Sequence, residues 1–352
     1  MNILPQPLML DLLQQSLEAS EILMAPGLEE AEGFGSLPLR DLAPGWEVPF
    51  DIYLKVKRKG EEKPRFVKGC ARGEVFREEW HQKLLQLQIP CIYVSLAEMD
   101  RVLQYLHHNL ELLLADENQS EMEKSLRVCD ATHIWTLNFF TSEKGRTGEQ
   151  VKLALKFLDS LFEAIKSDRY NIFYLMEIRR HSYRLYNHCL NVSLLGMAFT
   201  SYLEWDREDI QGFGFGALIH DIGLIHTPRA ILEKQGPLAP EEMALIKRHP
   251  LDGYHMMQDL TYPRREALQM VLQHHENGDG SGYPQGSKLA GIHSWARIMR
   301  ILDSYEAMTA KRPWRAAMEP KAALWTMRSD WEKSKVFDQN CLMAFMKFLA
   351  GG

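Results

Sequence analysis

The sequence predicts an α+β chain, a small α+β module at the front followed by an all-helical region. Three observations carry this. Segments rich in β-branched and aromatic residues are confined to residues 1–115; beyond residue 118 the strand signals fade and apolar residues recur at helical spacing. At 352 residues the chain exceeds the usual size of one domain, and its 45% apolar content is enough for ordinary cores.

Taken in order, the first twenty residues (MNILPQPLMLDLLQQSLEAS) form a short amphipathic start. They lack a basic leading stretch and reach Asp11 and Glu18 too early for a signal peptide. Residues 26–48, rich in Gly, Pro and acidic side chains, read as loop, with packing expected from Val48 onward. FDIYLKV and RFVKGCARGEVF read as strands joined through the polar run KRKGEEK. EEWHQKLLQL then reads as helix, CIYVSL as strand, and AEMDRVLQYLHHNLELLLA as an amphipathic helix that closes the module at residue 115. Residues 116–170 read as a helical linker whose two helices are interrupted by GRTG at 145–148, and residues 171–352 as the helical domain.

A net charge of −6 and a pI near 6.1 give no general attraction to nucleic acid or to anionic lipid, so a small-molecule partner is expected. Five cysteines without a CxxC spacing indicate neither a disulfide framework nor a thiolate zinc knuckle, and a reducing cytoplasmic compartment is the expectation. No window of eighteen uninterrupted apolar residues suggests a membrane span.

The helical region carries a series of histidines and aspartates. In ALIHDIG, His220 and Asp221 are adjacent at the end of an apolar helical run, where one turn can present an imidazole and a carboxylate to the same ion. His188 has Leu185, Val192 and Leu195 at helical spacings, which puts it on or beside a buried stripe. His249 is read as closing the helix PEEMALIKRHP, which begins at Pro240 and stops before Pro250. His274 and His275 end the helix EALQMVLQHHENG, and Asp303 sits in the apolar run ARIMRILDSYEAM. Each alone has a plain structural explanation as a core or helix-end residue. Together, imidazoles and carboxylates without thiolate suit a first-row ion such as iron, manganese, nickel or zinc. Two such ions roughly 3.5 to 4 Å apart can share a bridging hydroxide and clamp a phosphoryl oxygen. The other histidines, including His107, His108, His226, His255 and His293, read as surface or packing groups, and so does His181, one heptad before His188. Gly212, Gly214 and Gly216 precede the HD pair inside an apparent helix, so close helix packing explains them better than a nucleotide loop.

After His275 comes ENGDGSGYPQG, a loop fixed by glycines and a proline that leaves Asp279, Ser281 and Tyr283 free to point outward. HHENGDGSGYPQG resembles the second motif of the HD-GYP family, and HDIGLIHTPRAILEKQGPL followed by EEMALIKRHP resembles the region beginning at its first motif. The resemblance runs from about residue 175 to 320, through ARIMRILDSYEAMTAKRPWR. It implies an all-α HD-type catalytic domain that hydrolyses cyclic di-GMP to linear pGpG or on to GMP, commonly with iron or manganese. By motif position His188, His220, Asp221 and Asp303 would hold one ion, and Asp221 would bridge to a second held by His249, His274 and His275. Tyr283 would face the substrate and Arg312 would approach a phosphate, both being implied catalytic residues with Asp221. The implied substrate contacts are Arg184, Asp279, Gly282, Tyr283, Pro284 and Arg312. The front module resembles the small α+β domain that sometimes precedes such catalytic domains, and a regulatory or dimerising role is the expectation for it.

Several positions depart from the family pattern. Leu224 stands where HDIGK supplies a lysine, which removes a cation expected near a phosphate. Arg184 stands where some members carry a glutamate that helps to hold a third metal; a guanidinium cannot be a ligand, so two ions are expected. Asn277, Glu306 and His293 replace a frequent arginine, aspartate and proline and remove no implied ligand. Leu224 and Arg184 also motivate the alternative of a catalytically weak module that senses a cyclic dinucleotide, or docks a partner such as a diguanylate cyclase through the GYP loop. A homodimer is a further expectation.

Overall fold

The computed structural model describes residues 20–22, 30–31, 33–58, 64–142, 146–167, 176, 185–260, 264–312 and 315–351. The chain divides into two compact units, residues 1–138 and 139–352. It is an α+β protein with a small mixed unit and a helical one.

The first unit holds a six-stranded antiparallel sheet of β1 (Ser20–Ile22), β2 (Glu30–Ala31), β3 (Phe34–Pro38), β4 (Ile52–Arg58), β5 (Arg65–Cys70) and β6 (Cys91–Ser95). Its order is β1-β4-β6-β3-β2, with β5 also paired to β4. Along β4, Ile52 and Leu54 are buried while Tyr53 and Lys55 are only half-buried, the period-2 pattern of a strand with one face in a core. β6, flanked by β3 and β4, buries Cys91 to Val94 without alternation, as a central strand does. Helices α1 (Glu78–Gln86) and α2 (Met99–Ala115) supply Trp80, Leu84, Val102, Leu103 and Leu106 to the core.

The segment read from sequence as loop, 26–48, differs: it contributes β2 and β3, and β3 pairs with β6 from Phe34↔Ser95 to Pro38↔Cys91. Glycine and proline suggested a loop, yet each has a place in the strand. A Cβ on Gly35 would meet Met99 Cε at 3.0 Å, so the glycine admits α2 against the strand, and Pro38 is the last strand residue.

Helix α3 (Glu121–Thr141) contains the division between the units, and α4 (Gly148–Ser167) follows it. The second unit continues with α5 (Leu185–Tyr202), α6 (Arg207–Ile219), α7 (Arg229–Leu232), α8 (Pro240–Ile246), α9 (His249–Met257), α10 (Arg265–Gln273), α11 (Ser294–Thr309), α12 (Pro320–Ser334) and α13 (Gln339–Leu349). Every residue of α5 from Asn187 to Thr200 is buried, so this helix is the axis of the unit and has no wet face. Helix α6 packs closely on it. A Cβ on Gly214 would lie 2.7 Å from Met197 Sδ, which agrees with reading the glycine triplet as a helix-packing surface. No helix among the described residues is long and apolar enough to cross a membrane.

One helix boundary also differs from the sequence reading. His249 opens α9 and does not close α8, because Pro250 lies in the first turn of a new helix, where its missing N–H costs nothing.

Candidate metal centre

Five helices aim their ends or faces at one point. His188 projects from buried α5; His220 caps the C-terminus of α6; Asp221 follows and opens a short 3-10 turn, Ile222–His226. His249 is the first residue of α9, His274 caps α10 with His275 behind it, and Asp303 comes from the middle of α11. The HD turn and the start of α9 fit together because residue 223 has no side chain: a Cβ there would lie 2.1 Å from the His249 carbonyl oxygen.

The donor atoms form two sets, His188, His220 and Asp303 on one side and Asp221, His249, His274 and His275 on the other, the atoms of each within 4.8 Å of one another. Asp221 faces both. Its Oδ1 lies 3.2 Å from His249 Nε2 and 3.6 Å from His274 Nε2, while Oδ2 lies 3.3 Å from His220 Nε2 and 3.8 Å from His188 Nε2. Asp303 Oδ1 is 3.2 Å from His188 Nε2, and Oδ2 is 4.0 Å from His275 Nδ1. All seven residues singled out in the sequence are thereby brought together.

Backbone carbonyls fix which ring nitrogen faces inward. His220 Nδ1 is 2.8 Å from Ala217 O, His249 Nδ1 2.8 Å from Ile246 O, and His274 Nδ1 2.9 Å from Val271 O. A nitrogen facing a carbonyl must carry the proton, which leaves Nε2 as the donor toward the centre. His249 Nε2 and His274 Nε2 then face each other at 3.0 Å. Two lone pairs at that distance repel unless a proton or a cation sits with them, and His220 Nε2 is buried without a hydrogen-bond partner. The nitrogen and oxygen donor set therefore fits a divalent first-row cation.

Electrostatics differ across the cluster. Burial alone would lower His188, but the carboxylates of Glu306 and Asp303 outweigh it and raise its pKa to about 10. His220 is likewise raised against its burial by Asp221. Asp221 and Asp303 are held well below the carboxylate range despite burial, Asp221 by His220, His249 and His274 and Asp303 by His188 and His275. Burial lowers His274 to about 4 and lowers His275 strongly, with neighbouring imidazoles adding to both shifts.

Two buried glutamates were given no role in the sequence reading, which noted Glu306 only as a replacement for a frequent aspartate and did not single out Glu276. Glu306, one turn beyond Asp303 on α11, places Oε2 2.5 Å from His188 Nδ1 and accepts a 3.0 Å hydrogen bond from Asn191 Nδ2. The i, i+3 spacing to Asp303 was the available signal. Glu276, directly after His275, accepts the backbone N–H groups of Gln285 at 2.7 Å and Ser287 at 2.9 Å, so one carboxylate ties down the far side of the glycine loop. Gly282 belongs to the same construction, since a Cβ there would lie 2.3 Å from the Asn277 nitrogen.

Tyr283 lies against the cluster. Its ring stacks on His275 with centroids 4.8 Å apart, Lys247 Nζ stands 5.4 Å from the ring centroid, and burial raises the phenol pKa. Tyr283 is joined to Pro284 by a cis peptide bond. Asp279 is exposed, and its carboxylate accepts hydrogen bonds from Ser281 N at 2.9 Å and Ser281 Oγ at 2.7 Å, within its own loop. Arg312 lies three residues beyond α11, its backbone paired with that of Arg315. Leu224 sits half-buried in the 3-10 turn after the HD pair. Arg184 and His181 fall outside the described residues.

Residues 175–340 match the family model described as HD domain. Over 229 residues the chain is 26% identical to a cyclic di-GMP phosphodiesterase of Pseudomonas aeruginosa, covering 65% of this chain and 55% of that protein. Over 157 residues it is 38% identical to the 3′3′-cGAMP-specific phosphodiesterase 1 of Vibrio cholerae, covering 44% of this chain and 36% of the relative. The chain thus spans about half, or less, of these curated relatives. A solved structure described as an HDG"Y"P protein from Bdellovibrio bacteriovorus aligns with a TM-score of 0.66 at 19% identity, over 90% of this chain and 100% of that one, a likeness of fold.

Proposed function

The chain belongs to the HD-GYP family, and from that premise we propose that it is a metal-dependent phosphodiesterase acting on a cyclic dinucleotide, cyclic di-GMP first among the candidates. The observation that carries this reading is the pair of donor sets meeting on opposite oxygens of Asp221. On this reading His188, His220, Asp221 and Asp303 hold one ion and Asp221, His249, His274 and His275 a second, iron or manganese being the candidates. When bound, two such ions acidify water and neutralise charge on a phosphoryl group.

The protein's own groups do the rest. The lowered pKa of Asp221 keeps it ionised, so it acts as the shared ligand and not as a proton carrier. Tyr283, its phenol kept protonated, can donate to a phosphate oxygen or to the departing ribose oxygen. Arg312 supplies a fixed positive charge. Lys247, its Nζ 5.4 Å from the Tyr283 ring centroid, offers an ammonium on the Tyr283 side, where Leu224 provides none. Water adds to phosphorus, the bond to the ribose oxygen breaks, and the proton lost by water ends on that oxygen, giving a linear dinucleotide, pGpG from cyclic di-GMP.

Leu224 favours a second reading, a module that binds a cyclic dinucleotide or docks a cyclase and turns over slowly. A regulatory or dimerising role for residues 1–115 is compatible with both. The deciding experiment offers iron- and manganese-loaded full-length protein cyclic di-GMP and 3′3′-cGAMP, with products separated by chromatography. Linear product supports the enzyme. Tight binding by calorimetry without product, unrescued by Leu224→Lys, selects the second reading, and neither binding nor product with either nucleotide overturns both.

A further inference from the structure

Arg300 lies one turn before Asp303 on α11, on the same face of the helix, and is half-buried. Its Nε donates to Asn277 Oδ1 at 3.0 Å, its Nη1 donates to Ser304 Oγ, and its Cζ stands 5.5 Å from the centroid of the buried Phe337 ring. The guanidinium is thus held by its own helix, by the start of the glycine loop and by the segment joining α12 to α13. That segment also holds the loop, since the Gly278 N–H donates to Val336 O at 2.9 Å.

Both hydrogen-bond acceptors are neutral oxygens. Together with the ring face they fix a cation in place without neutralising it. Its field reaches the site: burial lowers His275 and raises Tyr283, and Arg300 adds to the first shift and opposes the second. Those two rings stack on each other at the metal cluster. A fixed charge beside groups that would face a dianionic substrate attracts that substrate. Asn277 sharpens the point. It stands where the family pattern frequently has arginine, and the side chain that touches it brings a guanidinium back to that place from another helix.

We propose that Arg300 is a substrate-positioning cation: reaching Asn277 from α11, it restores at the loop the charge that Asn277 lacks and draws a phosphate of the cyclic dinucleotide toward Tyr283. The inference rests on the cyclic-dinucleotide reading above. It concerns attraction of the bound substrate, so KM carries the effect and kcat does not.

Full-length manganese-loaded protein is assayed with cyclic di-GMP at low and high salt. Arg300→Gln keeps a donor for Asn277 and loses the charge; it should raise KM about tenfold, weaken the salt dependence of KM, and leave kcat and metal content within about twofold. Arg300→Lys should keep most of the affinity. Asn277→Arg added to Arg300→Gln should recover it, because the charge returns to the same place from the loop side. Where the glutamine variant misfolds by circular dichroism, Asn277→Asp serves instead, since it cancels the charge of Arg300 without altering that residue, and should raise KM by a similar factor. Wild-type KM in the glutamine or aspartate variant, or equal damage from glutamine and lysine with no rescue by the second arginine, overturns the proposal alone. In a protein that binds without turnover, the calorimetric dissociation constant takes the place of KM. Wild type that neither binds nor hydrolyses a cyclic dinucleotide overturns the proposal together with the reading of function, which keeps the two failures apart.

Discussion

The two donor sets that meet on Asp221 look alike in composition and differ in charge. On one side, His274 and His275 are pushed toward neutrality by burial and by each other, and His249 and His274 anchor Nδ1 on backbone carbonyls. His274 and His275 already present lone pairs. On the other side, His188 sits between the carboxylates of Glu306 and Asp303, and His220 sits beside Asp221, so both hold protons at neutral pH when no cation is bound. Burial is common to both sets. What distinguishes them is His188, the one ligand imidazole here held between two carboxylates, Glu306 on Nδ1 and Asp303 on Nε2, so a cation on that side must first displace a proton.

The largest test of this contrast removes the residue the sets share. Asp221→Ala should strip metal from both and lower phosphodiesterase activity by a factor on the order of 10³ or more; full occupancy by metal analysis would show that the sets do not depend on a common carboxylate. Next in size is pH. His188 and His220 have raised pKa values, so they are protonated below them, and a cation on that side must displace protons. Its affinity should rise about tenfold per pH unit for each proton released between about pH 6 and 8. His274 and His275 on the opposite side should add almost no slope over the same range, because both are lowered and His274 has lost its proton well below it. Two parallel slopes in metal titrations would dissolve the distinction.

Glu306→Gln should weaken the cation on the His188 side by about 10- to 100-fold, the usual effect of losing a carboxylate behind a ligand histidine, and should flatten its pH slope. The smallest effect is expected from Glu276→Gln. With one neutral oxygen in place of a carboxylate, the loop tie to Gln285 and Ser287 weakens and KM should rise several-fold, while metal content measured on the same sample stays unchanged.

The donors were legible because each is a chemically distinctive residue and their order along the chain matches a family pattern; the helices were legible from apolar spacing. What escaped has physical reasons. β3 is short and carries a glycine and a proline, so local propensity argued for loop while pairing with β6 decided for strand. Pro250 is a stop signal when read from upstream and a start signal when read from downstream, and sequence alone does not say which. Glu276 looked like an ordinary loop acid and Glu306 like a harmless replacement of an aspartate, because burial among polar partners is a property of the fold and not of the residue.

Gly223 ties the HD turn to α9 so closely that the inheritance of the site hangs on a residue that donates nothing to it. The smallest chiral replacement would set a carbon 2.1 Å from the His249 carbonyl oxygen, and the clash is relieved only by moving the helix that begins with that histidine. A descendant of this chain could keep all seven donors and still lose the centre through one codon. A sequence with an intact set of histidines and aspartates but a side chain at this position is expected to be a relic that no longer takes up metal.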